Sequence, residues 1–206
     1  MKKIKILIAD DHTIMRMGLT AILSSKKDLE VIGEADSGES AVQQARELRP
    51  DVILMDILMP HKDGAEATIE ILKENPNAKI LVLTSAVSAD AIARALAAGA
   101  SGALLKNIDY GDLVNTIRTI AGGGRIIAPE IQRMMREFPP VEELSPRQIS
   151  ILESMVRGLT DADIAAETGL KPNGVRDAIT QIYGKLGAAN RAEAVAIALR
   201  KHLLKI

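Results

Sequence analysis

Ile53-Leu54-Met55-Asp56-Ile57-Leu58-Met59-Pro60-His61-Lys62-Asp63-Gly64 is the stretch on which the reading of this chain turns, because an apolar run there ends in one carboxylate and breaks into a turn. With Val52 in front, the run reads as a strand buried on both faces, as in a parallel sheet, and Pro60 and Gly64 mark the loop that follows. A carboxylate at the C-terminal end of such a strand lies where open α/β sheets place their ligands. An aspartate that merely terminates a strand would look the same, so the other strand ends decide the matter.

The first strand, Ile4–Ala9, runs directly into Asp10-Asp11, and a helical pattern follows over 13–25. Two adjacent carboxylates, with Asp56 on another strand end, set three like charges close together, which is unfavourable unless something positive sits among them. Hard oxygen ligands with positions left for water and a phosphate suit Mg2+. Downstream, Thr84 closes the run Ile80–Leu83 and Lys106 closes Gly102–Leu105. Four strand ends therefore present an acid pair, an acid, a hydroxyl and a cation.

In order and spacing, Asp10-Asp11, the block Met55–Pro60 with Asp63-Gly64, Leu83-Thr84 and Gly102–Lys106 resemble the receiver domain of bacterial two-component response regulators. The resemblance implies that Asp56 accepts a phosphoryl group from a phosphohistidine on a sensor histidine kinase. It implies that Asp10, Asp11, Asp56 and the Leu58 carbonyl hold Mg2+, and that Thr84 and Lys106 bind the phosphoryl oxygens. The residue types agree, since a carboxylate becomes a usable nucleophile when metal and ammonium charge stabilise the transferring group. One departure stands out: the aromatic switch position, three before the lysine, is Ala103.

Length and composition bound the rest. The 206 residues suit two small domains. Cysteine is absent, which removes disulfide and thiol chemistry and fits a reducing compartment. No apolar run approaches the roughly 20 residues that span a bilayer, so a cytoplasmic protein without membrane contact is expected. Aromatics are limited to Tyr110, Phe138 and Tyr183, too few for a base-stacking platform. Residues 1–124 carry 14 Lys/Arg against 17 Asp/Glu, and residues 141–206 carry 9 against 8. The C-terminal part is thus nearly neutral, which is weak electrostatics for binding a polyanion.

Five apolar runs (4–9, 30–35, 51–55, 79–84, 102–105) alternate with helical patterns near 13–25, 37–48, 63–74, 88–98 and 109–121. That alternation predicts an α/β fold over residues 1–124, a doubly wound five-stranded parallel sheet of flavodoxin-like type. After Gly122-Gly123-Gly124, residues 125–143 read as a linker with a short helix around 131–135, and Pro139-Pro140 opens a tether. Residues 144–206 read as a smaller all-α domain of four helices. Ser145-Pro146-Arg147-Gln148, Thr160–Asp163 and Asn190–Glu193 are three capping boxes. Val175, Ile179, Ile182 and Leu186 form an apolar stripe on the third helix, from Pro172 to Leu186. A tight glycine-containing turn between the middle two helices describes a helix-turn-helix unit.

Leu144–Arg147, Gly158-Leu159-Thr160, Asp163-Ile164-Ala165, Gly169-Leu170, Lys185-Leu186-Gly187 and Asn190–Val195 resemble the LuxR-type DNA-binding domain of NarL/FixJ-class regulators. That resemblance directs Arg176, Asp177, Thr180, Lys185 and Arg191 toward duplex DNA. It is eroded where Gly174, Asp177 and Ala178 replace the usual threonine, base-facing residue and histidine, and Lys171 is a poor cap for which Asn173 is an alternative. The leading expectation is a phosphorylation-controlled transcription regulator, binding DNA as a homodimer when phosphorylated and not an enzyme. The alternative is a phospho-dependent protein-interaction adaptor with weak or lost DNA binding. A turnover phosphotransferase ranks third, since no second nucleophile or dedicated substrate pocket is evident.

Overall fold

The computed structural model describes residues 2–85, 89–137, 144–200 and 203–204. The chain divides into two compact units, residues 1–139 and 140–206.

In the first unit, β1 (Ile4–Ala9), β2 (Leu29–Ala35), β3 (Val52–Asp56), β4 (Ile80–Thr84), β5 (Gly102–Leu105) and β6 (Ile126–Ile127) form one sheet in the order β2-β1-β3-β4-β5-β6. Every pairing is parallel. The strands are joined by α1 (Thr13–Ser24), α2 (Gly38–Leu48), α3 (Gly64–Glu74), α4 (Ala89–Ala98) and α5 (Tyr110–Ala121), and α6 (Pro129–Glu137) follows β6. All five residues of β3 and all five of β4 are buried, which explains why these strands read as unbroken apolar runs. One face packs Leu23, Leu113, Ile117 and Ile120 of α1 and α5 onto β1, β3 and β4. The other packs Ala41 and Val42 of α2 and Ile71 of α3 onto Leu7, Ile53 and Ile80. Because strand order reverses between β1 and β3, the residues after β1 and at the end of β3 meet at the switch point of the sheet.

The sheet has six strands, not five, and the extra one comes from the segment expected to be a linker. Ile126 N–H donates to the Ser101 carbonyl and Ala128 N–H to the Ala103 carbonyl, at 3.2 and 2.9 Å. Gly102 permits this approach, since a Cβ there would overlap the Ile126 carbonyl. Helix α6 then packs on α4 and β5, and its Ile131 is fully buried with Ile92, Ala95 and Ala103. The expected linker helix is therefore part of the first unit's core, and the small residue at position 103 lies under it. The tether around Pro139-Pro140 lies outside the described residues.

The second unit contains α7 (Pro146–Val156), α8 (Asp161–Thr168), α9 (Pro172–Leu186) and α10 (Arg191–Arg200). Ser145 with Gln148 and Thr160 with Asp163 form reciprocal capping boxes at α7 and α8. Asn190 accepts from Glu193 N–H, but Glu193 bonds Ala189 N–H, so the third box closes one residue early. Gly169 leaves α8 in the left-handed conformation, φ 67°, and Pro172 starts α9 two residues beyond Leu170. Lys171 is the N-cap and makes no side-chain cap bond, so the start shifted to Asn173 is not adopted. Pro172 accounts for this, because its fixed φ favours the first helical position and it has no N–H to satisfy. Val175, Ile179, Ile182 and Leu186 of α9 are buried against Ile151, Leu152, Ile164 and Ala194.

Candidate functional site

At the carboxyl edge of the sheet, Asp10 after β1 and Asp56 at the end of β3 meet the ammonium of Lys106 after β5, with Asp11 beside them. Asp10 and Asp56 are each 2 % exposed. Lys106 Nζ lies 2.6 Å from Asp10 Oδ2 and 2.7 Å from Asp56 Oδ2, with its own side chain 7 % exposed. Thr84 is fully buried at the end of β4, and its carbonyl accepts from Lys106 N–H at 2.8 Å. That backbone bond ties the hydroxyl-bearing strand end to the cation-bearing one. Leu58 N–H donates to Asp56 Oδ1 at 3.3 Å, so one Asp56 oxygen is held tightly by Lys106 and the other loosely by the loop.

The loop after β3 is shaped by its glycine and its cap. A Cβ at Gly64 would overlap the Asp56 carbonyl, and Gly64 N–H closes the turn onto the Ile57 carbonyl at 3.0 Å. Asp63 caps α3 in a reciprocal box with Glu66 and takes a 2.7 Å ion pair from Arg94, so its carboxylate is structural. His61 adopts φ 65°, a left-handed conformation that a side chain tolerates at a cost.

Burial raises the Asp56 pKa above the ordinary carboxylate value, and the Lys106 hydrogen bond only partly offsets it. For Lys106, burial works against the charge, yet the hydrogen bonds to Asp10 and Asp56 outweigh it and hold the pKa above the ordinary lysine value. The site keeps a cation in a place that desolvation would otherwise neutralise.

Asp11 is more open, with a side chain 30 % exposed, but its Oδ1 is shielded from water and accepts no hydrogen bond. His12 Nδ1 lies 2.8 Å from that oxygen and 3.3 Å from Asp10 Oδ1, within ion-pair distance but without hydrogen-bond alignment to Asp11. Ligand atoms of Asp10, Asp11, His12 and Asp56 fall within 4.8 Å of one another. Three carboxylates against one lysine leave an excess of negative charge, and one oxygen lacks a partner. That donor set fits a hard divalent cation.

Two residues at this site escaped the sequence reading. His12 sits beside the acid pair, and its only signal was adjacency. Arg16, one turn into α1, donates to the Asp10 carbonyl at 2.6 Å and faces Glu34 at 3.6 Å, fixing the loop after β1 from behind.

In the second unit, Arg176, Asp177 and Thr180 are exposed on α9, and Lys185 is half-buried near its end. Thr180 donates its hydroxyl to the Arg176 carbonyl at 2.9 Å. Arg191 differs from these: it pairs with Asp161 at 3.0 Å and donates to the Leu159 carbonyl, clamping α10 to the start of α8. Its guanidinium thus takes part in a contact within the unit, where the α8 and α10 N-termini meet, while a third of its side chain stays exposed.

A doubly wound sheet with a buried acid and lysine site at its strand ends, carried in one chain with a helix-turn-helix unit, defines a two-domain signalling regulator. Residues 6–118 match the model of the response regulator receiver domain, and residues 142–198 that of the bacterial regulatory proteins of the luxR family. Response regulator protein VraR of Staphylococcus aureus is 35 % identical over 207 residues, covering 98 % of this chain and 99 % of that one. The crystal structure of response regulator ChrA, of a heme-sensing two-component system, is 32 % identical with TM-score 0.59, covering 99 % of this chain and all of that one. In fold, the RcsB–DNA complex is also similar, with TM-score 0.66 at 22 % identity over 97 % of this chain and 99 % of that one. The chain belongs to the two-component response regulators that join a receiver domain to a LuxR-type helix-turn-helix domain.

Proposed function

We propose that this protein is a transcription regulator switched by phosphorylation of Asp56, with a sensor histidine kinase as donor and duplex DNA as target. The observation that carries the reading is Lys106 bridging Asp10 and Asp56 in a water-poor pocket at the switch point of the sheet. Asp56 Oδ1, the loosely held oxygen, attacks phosphorus. The P–O bond forms as the P–N bond to the donor imidazole breaks, and the imidazole leaves with its electron pair.

Lys106 then moves its hydrogen bond from Asp56 Oδ2 to a phosphoryl oxygen, and the Thr84 hydroxyl donates to another. Asp10, Asp11, Asp56 and the Leu58 carbonyl would hold Mg2+, supported by the excess carboxylate charge and the unpartnered Asp11 Oδ1. When bound, the ion neutralises charge on the phosphoryl oxygens. The added phosphate charge draws Thr84 and Lys106, and with them β4 and β5, toward Asp56, biasing a two-state surface. The phosphorylated chain pairs as a homodimer, and the transfer is stoichiometric rather than a turnover enzyme activity.

Among the described residues no helix is long and apolar enough to cross a membrane, which supports a cytoplasmic setting. Arg176, Asp177, Thr180 and Lys185 on α9 would face the duplex. The adaptor reading draws on Asp177, an exposed acid on that helix. Two measurements test the function together. Asp56→Ala must fail to take up phosphate from acetyl phosphate, and duplex affinity of the phosphorylated protein must fall with salt at a slope of about −0.9 per phosphate neutralised. Phosphate uptake by the variant would overturn the acceptor assignment, and a salt-independent association would favour the adaptor.

A further inference from the structure

The exposed and buried positions of α9 are related by a simple offset. Val175, Ile179, Ile182 and Leu186 are buried, and the residue two places before each, Asn173, Asp177, Thr180 and Gly184, is exposed. Two residues correspond to about 200° around a helix, so this second stripe points directly away from the core. Arg176 precedes Asp177 by one residue and Lys185 follows Gly184 by one, which puts the two cations on opposite flanks. The outermost stripe carries an amide, a carboxylate, a hydroxyl and a glycine, and no cation.

Availability narrows the set further. Thr180 has given its hydroxyl proton to the Arg176 carbonyl, and Gln181 is bonded to Gln148 at 3.3 Å. Among the described residues the side chains of Asn173 and Asp177 make no hydrogen bond or ion pair, and both lie in the N-terminal half of the helix. In helix-turn-helix readers that half contacts base edges.

Resting on the DNA-binding reading above, we infer that α9 reads a cytosine through Asp177 and an adenine through Asn173, with Arg176 and Lys185 contacting phosphates on either side. A carboxylate accepts from cytosine N4, whereas guanine presents only acceptors, N7 and O6, in the major groove and is repelled. An asparagine amide pairs with adenine N6 and N7. The commonest specific contact, Arg or Lys to guanine, is missing from the stripe, so the strand read by α9 should lack a guanine at the Asp177 column. Gly184 presents no side chain to the groove, which confines readout to the first two turns.

The test is selection from a random duplex pool by the full chain, phosphorylated with acetyl phosphate and Mg2+, as wild type, Asp177→Ala, Asp177→Asn and Asn173→Ala. The wild type is expected to enrich a half-site with one cytosine column and one adenine column. Asp177→Ala should flatten the cytosine column by about 5- to 150-fold in relative affinity and leave the other columns intact. Asp177→Asn should convert that column to adenine, and Asn173→Ala should relax only the adenine column. An enriched motif that is identical in the wild type and the Asp177 variants would overturn this assignment while leaving DNA binding in place. No motif from a wild-type protein shown by gel shift to carry phosphate would overturn the DNA-binding reading itself.

Discussion

Lys106→Met removes the ammonium that pairs with both buried carboxylates while keeping much of the side-chain length. Its Nζ is 2.6 and 2.7 Å from carboxylates whose side chains are 2 and 1 % exposed, so the variant leaves two desolvated like charges facing each other. Breaking a buried charge pair costs about 3–5 kcal/mol. The alternative for the protein is to protonate one carboxylate. Near pH 7 that protonation is uphill, and each pH unit of acidification eases it by roughly 1.4 kcal/mol. The second route predicts the pH dependence. Between pH 7 and pH 5 the penalty should shrink by about 2–3 kcal/mol as protonation becomes easy. In the wild type, the raised Lys106 pKa contributes stability that is complete below the ordinary lysine value and lost only as pH climbs through the raised one, so its own titration does not interfere. Urea unfolding read by pulsed hydrogen exchange on β1 and β3 peptides reports the first unit separately from the second. A loss below about 1 kcal/mol at pH 7, or one of equal size at pH 5, would refute the reasoning.

Three further outcomes follow from the same structure. Asp56→Asn removes a carboxylate whose pKa is raised by burial, a group whose ionisation costs stability once pH rises above its folded value; the variant should be more stable than wild type at pH 7, by urea midpoint, and take up no phosphate. Ile131→Ala empties a fully buried site worth about 2–5 kcal/mol, and because α6 ends the unit, exchange protection should fall over residues 126–137 while β1–β4 stay protected. Uniform loss across the sheet would show that α6 is integral to global unfolding instead. Arg191→Ala should lower the stability of the second unit by about 1–2 kcal/mol through the lost clamp on α8. It should leave the salt slope of duplex binding unchanged, and a slope smaller by about one unit would restore Arg191 to the phosphate contacts.

The convergence at the carboxyl edge of the sheet was legible from the strand ends. Asp10, Asp11, Asp56, Thr84 and Lys106 each end an apolar run, and buried parallel strands write such runs plainly into the chain. The structure adds that Lys106 is shared between two carboxylates and that His12 and Arg16 brace the acid loop, relations between elements far apart in sequence. The caps of α7 and α8 were legible too, because a capping box spans four residues and needs nothing from the rest of the fold. The segment 125–143 was not. A two-residue strand has no period to detect, and whether Ile126-Ile127 pairs depends on the open side of Gly102, more than twenty residues away.

The sequence by itself determined the α/β and helix-turn-helix classes, the strand ends that bear chemistry and the inward stripe of α9, since all of these are set by hydrophobic period and local capping. Tertiary structure alone decided which polar groups remain free. Arg191 and Asp177 look equally exposed as letters in the chain, yet one is spent on Asp161 and Leu159 and the other has no partner among the described residues. It also decided that α6 packs on α4 and β5, where Ile131 joins the buried cluster that holds Ala103, because close packing of an interior is a relation between elements distant in sequence.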